Sequence, residues 1–317
     1  MNVTLVYGFL GAGKTTLLRH LIPDLAQVGR TAILVNEFGR EGIDQHVLAA
    51  TGIQVRKLSG GCLCCEIRGD LTTALIQISQ DIQPNRLVIE PSGLAAPQML
   101  THVLASPGIR EIAAVDSVIT VIDAAKHEVT QRAFGDFYAD QIRSADVLAI
   151  NKADIATSAE LAVARSAARE INPHAALAVT RHADLDTDLV LTAIAASGQS
   201  GPLDVHTHTN RFNAELSTLK LERASVSPPN MTRGDLDAWL AALARGDFGD
   251  VIRAKGFAQV HQMTVLIDVV MGEVELRPFE PAPARIEIIG RNLEPISMEK
   301  QLTNGTTHIP SPTPSYH

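Results

Sequence analysis

From Val3 to about Ile194, short runs of aliphatic and β-branched residues alternate with stretches whose apolar positions recur at helical spacing. The runs Val3–Tyr7, Thr31–Asn36, Gln54–Leu58, Arg86–Glu90, Ser117–Ile122, Val147–Ile150 and Ala176–Val179 predict strands. Between them, Leu17, Leu18, Leu21, Ile22 and Leu25 form a core-facing stripe that Gly29 ends, and similar stripes lie around Leu71–Ile78 and Leu161–Ile171. Apolar strands alternating with amphipathic helices predict an α/β fold with a doubly wound, mostly parallel sheet.

The turn-rich stretch Ser197-Gly198-Gln199-Ser200-Gly201-Pro202 interrupts this rhythm. It sets expected boundaries of 1–196 for the first domain, 197–210 for a linker, 211–295 for a smaller α+β domain and 296–317 for a flexible tail. The second domain is expected to open with a strand at Leu216–Glu222. A helix follows from Thr232 through Trp239 and Leu243, with Asp235 at the acidic position of a capping box. Strands are expected at Gly256–His261, Thr264–Val270, Glu273–Pro278 and Arg285–Ile289.

The chain has 317 residues, 45% hydrophobic and 20% charged, which is globular composition rather than that of a disordered or collagenous chain. Lys and Arg number 27 against 35 Asp and Glu, a net charge of −8, so the electrostatic footprint of broad nucleic-acid or anionic-membrane binding is missing. Met1-Asn2-Val3-Thr4 leads directly into a strand pattern with no basic leader, and the apolar runs are soon broken, as by Asp268; a cytoplasmic protein without a membrane span is expected. All three cysteines fall in Cys62-Leu63-Cys64-Cys65, which is no disulfide framework.

Gly8-Phe9-Leu10-Gly11-Ala12-Gly13-Lys14-Thr15 fits G-x-x-x-x-G-K-[ST], between a predicted strand and a Leu-rich helix. Glycines at 8, 11 and 13 let backbone N–H groups, including that of Ala12, close around phosphates at a helix N-terminus. Lys14 is expected to reach the β- and γ-phosphates, Thr15 to complete a Mg²⁺ shell and Thr16 to add a phosphate contact. Asn151-Lys152-Ala153-Asp154 then falls at the carboxyl end of a strand, where doubly wound sheets bind ligands. Asp154 would accept from guanine N1–H and its exocyclic amine, whereas adenine would leave the carboxylate unpaired; GTP and GDP are therefore favoured. Asn151 is placed at the other edge of the purine and the Lys152 stem along its ring.

Leu87-Val88-Ile89-Glu90-Pro91-Ser92-Gly93 is an apolar strand ending in an acid and then a glycine. The arrangement lets Glu90 reach the Mg²⁺ shell through water and offers the Gly93 N–H to a γ-phosphate. After the second strand, Glu37, Glu41 and Asp44 stand among glycines beside the nucleotide, and Asp44 is a catalytic candidate. The three cysteines sit on a glycine-flanked loop after the strand Gln54–Leu58. Adjacent thiolates call for a neutralising cation, and soft sulfur suits Zn²⁺, Cu⁺ or related metals. Three thiolates leave a fourth position to a carboxylate, a histidine, water or another protein. A Cys62/Cys65 redox dithiol and plain buried thiols are the competing readings.

The phosphate loop, Asn-Glu-Phe-Gly, Gly-Cys-Leu-Cys-Cys, Glu-Pro-Ser-Gly-Leu and Asn-Lys-Ala-Asp, in this order, closely resemble the CobW-type metallochaperone GTPases, P-loop proteins related to the hydrogenase and urease nickel-insertion GTPases. The likeness spans the first domain, and Lys255-Gly256-Phe257 is similar to a strand start in the family's C-terminal domain. The resemblance implies GTP hydrolysis with Mg²⁺, coupled to delivery of Zn²⁺ or Co²⁺ to a client apo-metalloprotein. Cys62, Cys64 and Cys65 would be the metal ligands and Glu37 an extra one, and a nucleotide-dependent homodimer is implied as well. An activator of one metalloenzyme or a cobalamin-synthesis factor is an alternative, as is a regulatory GTPase with a structural metal or redox-sensing thiols. Pro91 stands where members often carry Thr or Ser, Arg181-His182-Ala183 replaces an expected glycine, and the His-rich stretch common in the family is missing.

Overall fold

The computed structural model describes residues 1–27, 29–36, 52–58, 66–95, 97–190, 192 and 221–304. Backbone contacts divide the chain into two units, Met1–Leu216 and Ser217–His317.

In the first unit the strands are β1 (Asn2–Gly8), β2 (Thr31–Asn36), β3 (Gln54–Leu58), β4 (Arg86–Glu90), β5 (Ala114–Asp123), β6 (Val147–Asn151) and β7 (Ala176–Val179). They form one sheet in the order β3-β2-β4-β1-β5-β6-β7, with every pairing parallel. Parallel strands need crossovers, and the described helices supply them: α1 (Lys14–Gln27), α2 (Glu66–Gln77), α3 (Pro97–Leu104), α4 (Pro107–Arg110), α5 (His127–Arg143) and α6 (Ser158–Ile171). Leu17, Leu18, Leu21, Ile22 and Leu25 of α1 are buried against Val6, Ile33 and Val88 of the sheet, as their spacing predicts. The stripe at Leu71–Ile78 does not end as a plain α-helix; a π-helical turn, Ile78–Ile82, prolongs it. In α6 the buried face reduces to Ala164 and Ala168, a smaller stripe than Leu161–Ile171 suggests. Central strand β1 lies between β4 and β5, so the loops after these three strands share one end of the sheet.

The second unit holds β8 (Glu222–Val226), α7 (Arg233–Arg245), β9 (Asp250–Val260), β10 (Met263–Val270), β11 (Glu273–Phe279), β12 (Arg285–Arg291) and α8 (Pro295–Asn304). Its strands make a separate sheet, β11-β10-β9-β12-β8, paired antiparallel throughout. Trp239, Leu236 and Leu243 of α7 pack on Ala254, Ala258, Ile267, Ile286 and Ile288. Thr232 and Asp235 close the capping box that their spacing predicts. The strand seen, Glu222–Val226, overlaps the expected one at Glu222, and 216–220 lie outside the described residues. One expectation is corrected: residues 295–304 are helical rather than part of a tail, because Met298 and Leu302 bury into the second core.

Candidate functional site

The phosphate loop leaves the carboxyl end of β1 and enters α1 at Lys14. The Lys14 side chain is buried, and its ammonium donates to the carbonyls of Gly8 at 2.9 Å and Phe9 at 3.2 Å, so the cation lies against the loop's own backbone. Thr15 and Thr16 follow on the first turn. The strand ending in Glu90 delivers that acid to the same place: both carboxylate oxygens accept from the Thr15 hydroxyl, at 2.9 and 3.0 Å. Glu90 is 2% exposed, so its carboxyl lies in a site largely closed to water. A carboxylate and a hydroxyl at the N-terminus of a helix, beside a phosphate loop, are hard oxygen donors that fit Mg²⁺. Gly93 presses on the phosphate loop so closely that a Cβ there would stand 2.6 Å from the Leu10 nitrogen and 2.9 Å from the Phe9 carbonyl carbon.

At the base end, the structure gives Asn151 a different part from that of a simple purine contact. Its amide donates to the Ala12 carbonyl at 2.8 Å, and its oxygen accepts from the Ala183 N–H at 2.7 Å and the Thr180 hydroxyl at 3.1 Å. Asn151 is thus a buried tie between the phosphate loop and the loop after β7, and one amide N–H remains for a ligand. Gly13 is required at this tie, since a Cβ would come within 2.5 Å of the Asn151 amide nitrogen. Lys152, at φ +65°, stretches its ammonium to Asp123 at the end of β5, 2.7 Å away. Asp154 accepts from the His182 N–H at 3.3 Å, and the His182 ring stands 3.7 Å from its carboxylate. Desolvation pushes the Asp154 carboxyl up, but backbone N–H groups of Asp154 and His182 and the charges of His182 and Arg181 outweigh it and hold it below the usual carboxylate range. The Arg181-His182-Ala183 departure therefore has a structural use: with His182 and Ala183 at positive φ, two successive N–H groups orient both functional side chains of the base motif.

Lys14, Thr15, Glu90 and Gly93 are brought together, and Asn151 connects them to Lys152 and Asp154. Glu37, Asp44, Cys62, Cys64 and Cys65 lie outside the described residues. Among the described residues no group of three or more His, Cys, Asp or Glu side chains could hold a metal ion. Sequence reasoning passed over Asp123, although it ends an apolar strand in an acid just as Glu90 does. It also passed over α5, whose Phe134 and Tyr138 pack on Phe9 with ring centroids 4.4 and 6.3 Å away.

Residues 2–179 match the nucleotide-binding domain of the CobW/HypB/UreG family. The chain belongs to that family. Residues 225–305 match the C-terminal domain of the cobalamin synthesis protein CobW, so both units of this CobW-family protein have counterparts. It is 30% identical to the zinc chaperone CobW of Pseudomonas aeruginosa over 95% of this chain and 90% of that one. It is 34% identical to the zinc chaperone YjiA of Escherichia coli over 59% of this chain and 60% of the relative. A zinc-regulated GTPase metalloprotein activator of Schizosaccharomyces pombe is 30% identical over 67% of this chain and 53% of its own length. No helix among the described residues of the CobW-family chain is long and apolar enough to cross a membrane.

Proposed function

We propose that the protein is a GTP-hydrolysing metallochaperone. It takes Zn²⁺, or alternatively Co²⁺, as cargo on Cys62, Cys64 and Cys65 with Glu37 as a further ligand, and passes it to a client apo-metalloprotein in one nucleotide state. The protein is a GTPase, and one observation carries the nucleotide reading: the Asn151 amide joins the phosphate loop to the loop that holds Asp154. A single buried side chain then couples the phosphate end of the site to the base end. Asp154, kept ionised, accepts from guanine N1–H and amine, and the tethered Lys152 stem lines the ring.

Lys14 exchanges its two carbonyl contacts for the β- and γ-phosphates, joined by the N–H groups of 8–13 and by Thr16. Thr15 directly and Glu90 through water would hold Mg²⁺, which when bound supplies neutralising charge for the β- and γ-phosphates. Gly93 offers its N–H to the γ-phosphate, and Asp44 is the candidate to act on the attacking water. Glu37 and Asp44 follow β2 as Gly93 follows β4, so γ-phosphate binding and metal affinity would be linked through those loops. Three neighbouring thiols suit the reducing cytoplasm, and a nucleotide-dependent homodimer accords with the family resemblance.

The deciding experiment is an anaerobic titration of reduced, metal-free protein with Zn²⁺ and with Co²⁺ against a chelator. It is run once with Mg²⁺-GDP and once with Mg²⁺ and a non-hydrolysable GTP analogue. Metal affinity is expected to differ at least about tenfold between the two states. Equal affinities would sink delivery and leave a structural metal or redox-sensing thiols in its place.

A further inference from the structure

Gln141 lies on α5 and is 0% exposed. Its side-chain amide donates to the carbonyls of Gly93 and Ala95, each at 3.1 Å. Its backbone carbonyl in turn accepts from the Thr120 hydroxyl of β5 at 2.6 Å, which fixes the helix turn that carries it. No other uncharged side chain could give two N–H groups from one atom to two neighbouring carbonyls except Asn, whose reach is one methylene shorter. The Gln141 Oε1 has no hydrogen-bond partner among the described residues. A buried unsatisfied acceptor costs stability, so packing alone does not account for an amide here.

Tyr138 and Gln141 are spaced i and i+3 and so share one face of α5, while Phe134 lies just before the break that Gly135 makes in the helix, at φ +48° and ψ −124°. The two rings hold Phe9 of the phosphate loop, and the amide holds the loop that begins after Glu90. One helix face therefore touches both loops, and the loops touch each other where Gly93 meets Leu10.

We infer that Gln141 is a positioning residue for triphosphate recognition: from α5 it fixes Gly93 against the phosphate loop and so sets the preference for GTP over GDP. The inference rests on the proposed role of Gly93 at the γ-phosphate. GDP lacks that phosphate, so its binding should be nearly indifferent to Gln141, whereas a purely structural residue would affect both nucleotides alike.

The test is Gln141→Met, which keeps length and bulk and removes both donors. Affinities for Mg²⁺-GDP and for Mg²⁺ with a non-hydrolysable GTP analogue, kcat and KM for GTP, and the thermal midpoint are measured together. Analogue affinity and kcat are expected to fall about tenfold or more, with GDP affinity within about twofold. Parallel losses for both nucleotides, or no change in either, would overturn the inference. If Gln141→Met does not fold, Gln141→Asn is measured against the same two outcomes. Lys14→Ala runs alongside: should it bind GTP like the parent, the site reading falls and this inference with it. Should it lose nucleotide while Gln141→Met behaves as the parent, this inference falls alone.

Discussion

In the first unit Lys14, Glu90, Asp123, Gln141 and Asn151 are buried, and each bonds or pairs with a loop or strand end around the phosphate loop. In the second unit Arg223 with Glu287 and Arg285 with Glu287, each at 2.7 Å, meet on a partly open sheet face over a core built on Trp239, and only Arg253, Lys255 and Asp268 form a more covered cluster among the described residues. Pairs of the second kind contribute little, at most about 1 kcal/mol each. Buried polar groups of the first kind cost stability unless each is satisfied, and they are worth keeping where a ligand is recognised. The contrast assigns chemistry to the first unit and leaves the second a conventional core, and it can be tested because Trp239 is the chain's only tryptophan. Its fluorescence follows unfolding of the second unit alone.

The largest effect is expected at Lys14. Lys14→Ala removes the cation proposed to meet the β- and γ-phosphates, and GTP turnover should fall by about 10²-fold or more. The Trp239 unfolding transition should not move. A turnover assay and a fluorescence melt check both halves, and a shifted Trp239 transition would break the separation drawn between the units.

Asn151→Ala comes next. It leaves the Ala12 carbonyl, the Ala183 N–H and the Thr180 hydroxyl without their shared partner, and leaving such buried groups unpaired costs about 1–3 kcal/mol. Affinity for GDP and for a GTP analogue should fall together, because the tie serves the base end and the phosphate end alike. Loss confined to one nucleotide, read by equilibrium titration, would show that Asn151 serves only one end.

The inner parallel strands were legible because strands buried on both faces read as continuous apolar runs, such as Leu87-Val88-Ile89 and Val147-Leu148-Ala149-Ile150, whereas the edge strands β3 and β7 are only partly buried. Lys14, Thr15 and Asp154 stood out because their spacing fits the phosphate and base chemistry proposed for them, and the structure places Lys14 and Thr15 at the start of α1, directly after the loop that follows β1. Gln141 was not, since a single amide on a helix has no spacing signature, and Gly135, with φ +48° and ψ −124°, interrupts the stripe in which it lies. Asn151 was found but given half its work, because a sequence does not show that the Ala12 carbonyl and Ala183 N–H converge on it. Helix α8 was missed because Thr, Ser and Pro dominate the end of the chain and only Met298 and Leu302 enter the core.

Gly256→Ala is the converse of the lysine substitution. A Cβ at 256 would sit 1.9 Å from the Arg285 carbonyl oxygen and 2.6 Å from the Ile286 Cα, forcing β9 away from β12. Overpacking of this kind typically costs about 1–3 kcal/mol. The Trp239 transition should fall to lower temperature while GTP affinity stays within about twofold of the parent. A matching loss of GTP affinity would mean that the second unit contributes to the site.

The smallest expected effect is the one of pH on base selection. The Asp154 carboxyl is held below the usual carboxylate range despite its desolvation, by N–H groups of Asp154 and His182 and by the charges of His182 and Arg181. A depressed pKa means that the ionised acceptor persists as pH falls and is lost only below the ordinary carboxylate range. The preference for GTP over ATP should therefore be flat from pH 8 to about 5. Asp154→Asn should lower that preference about tenfold or more at every pH in the window. Competition binding at several pH values reads both, and a preference in the parent protein that fades already between pH 7 and 5 would show that a histidine, not Asp154, governs recognition of the base.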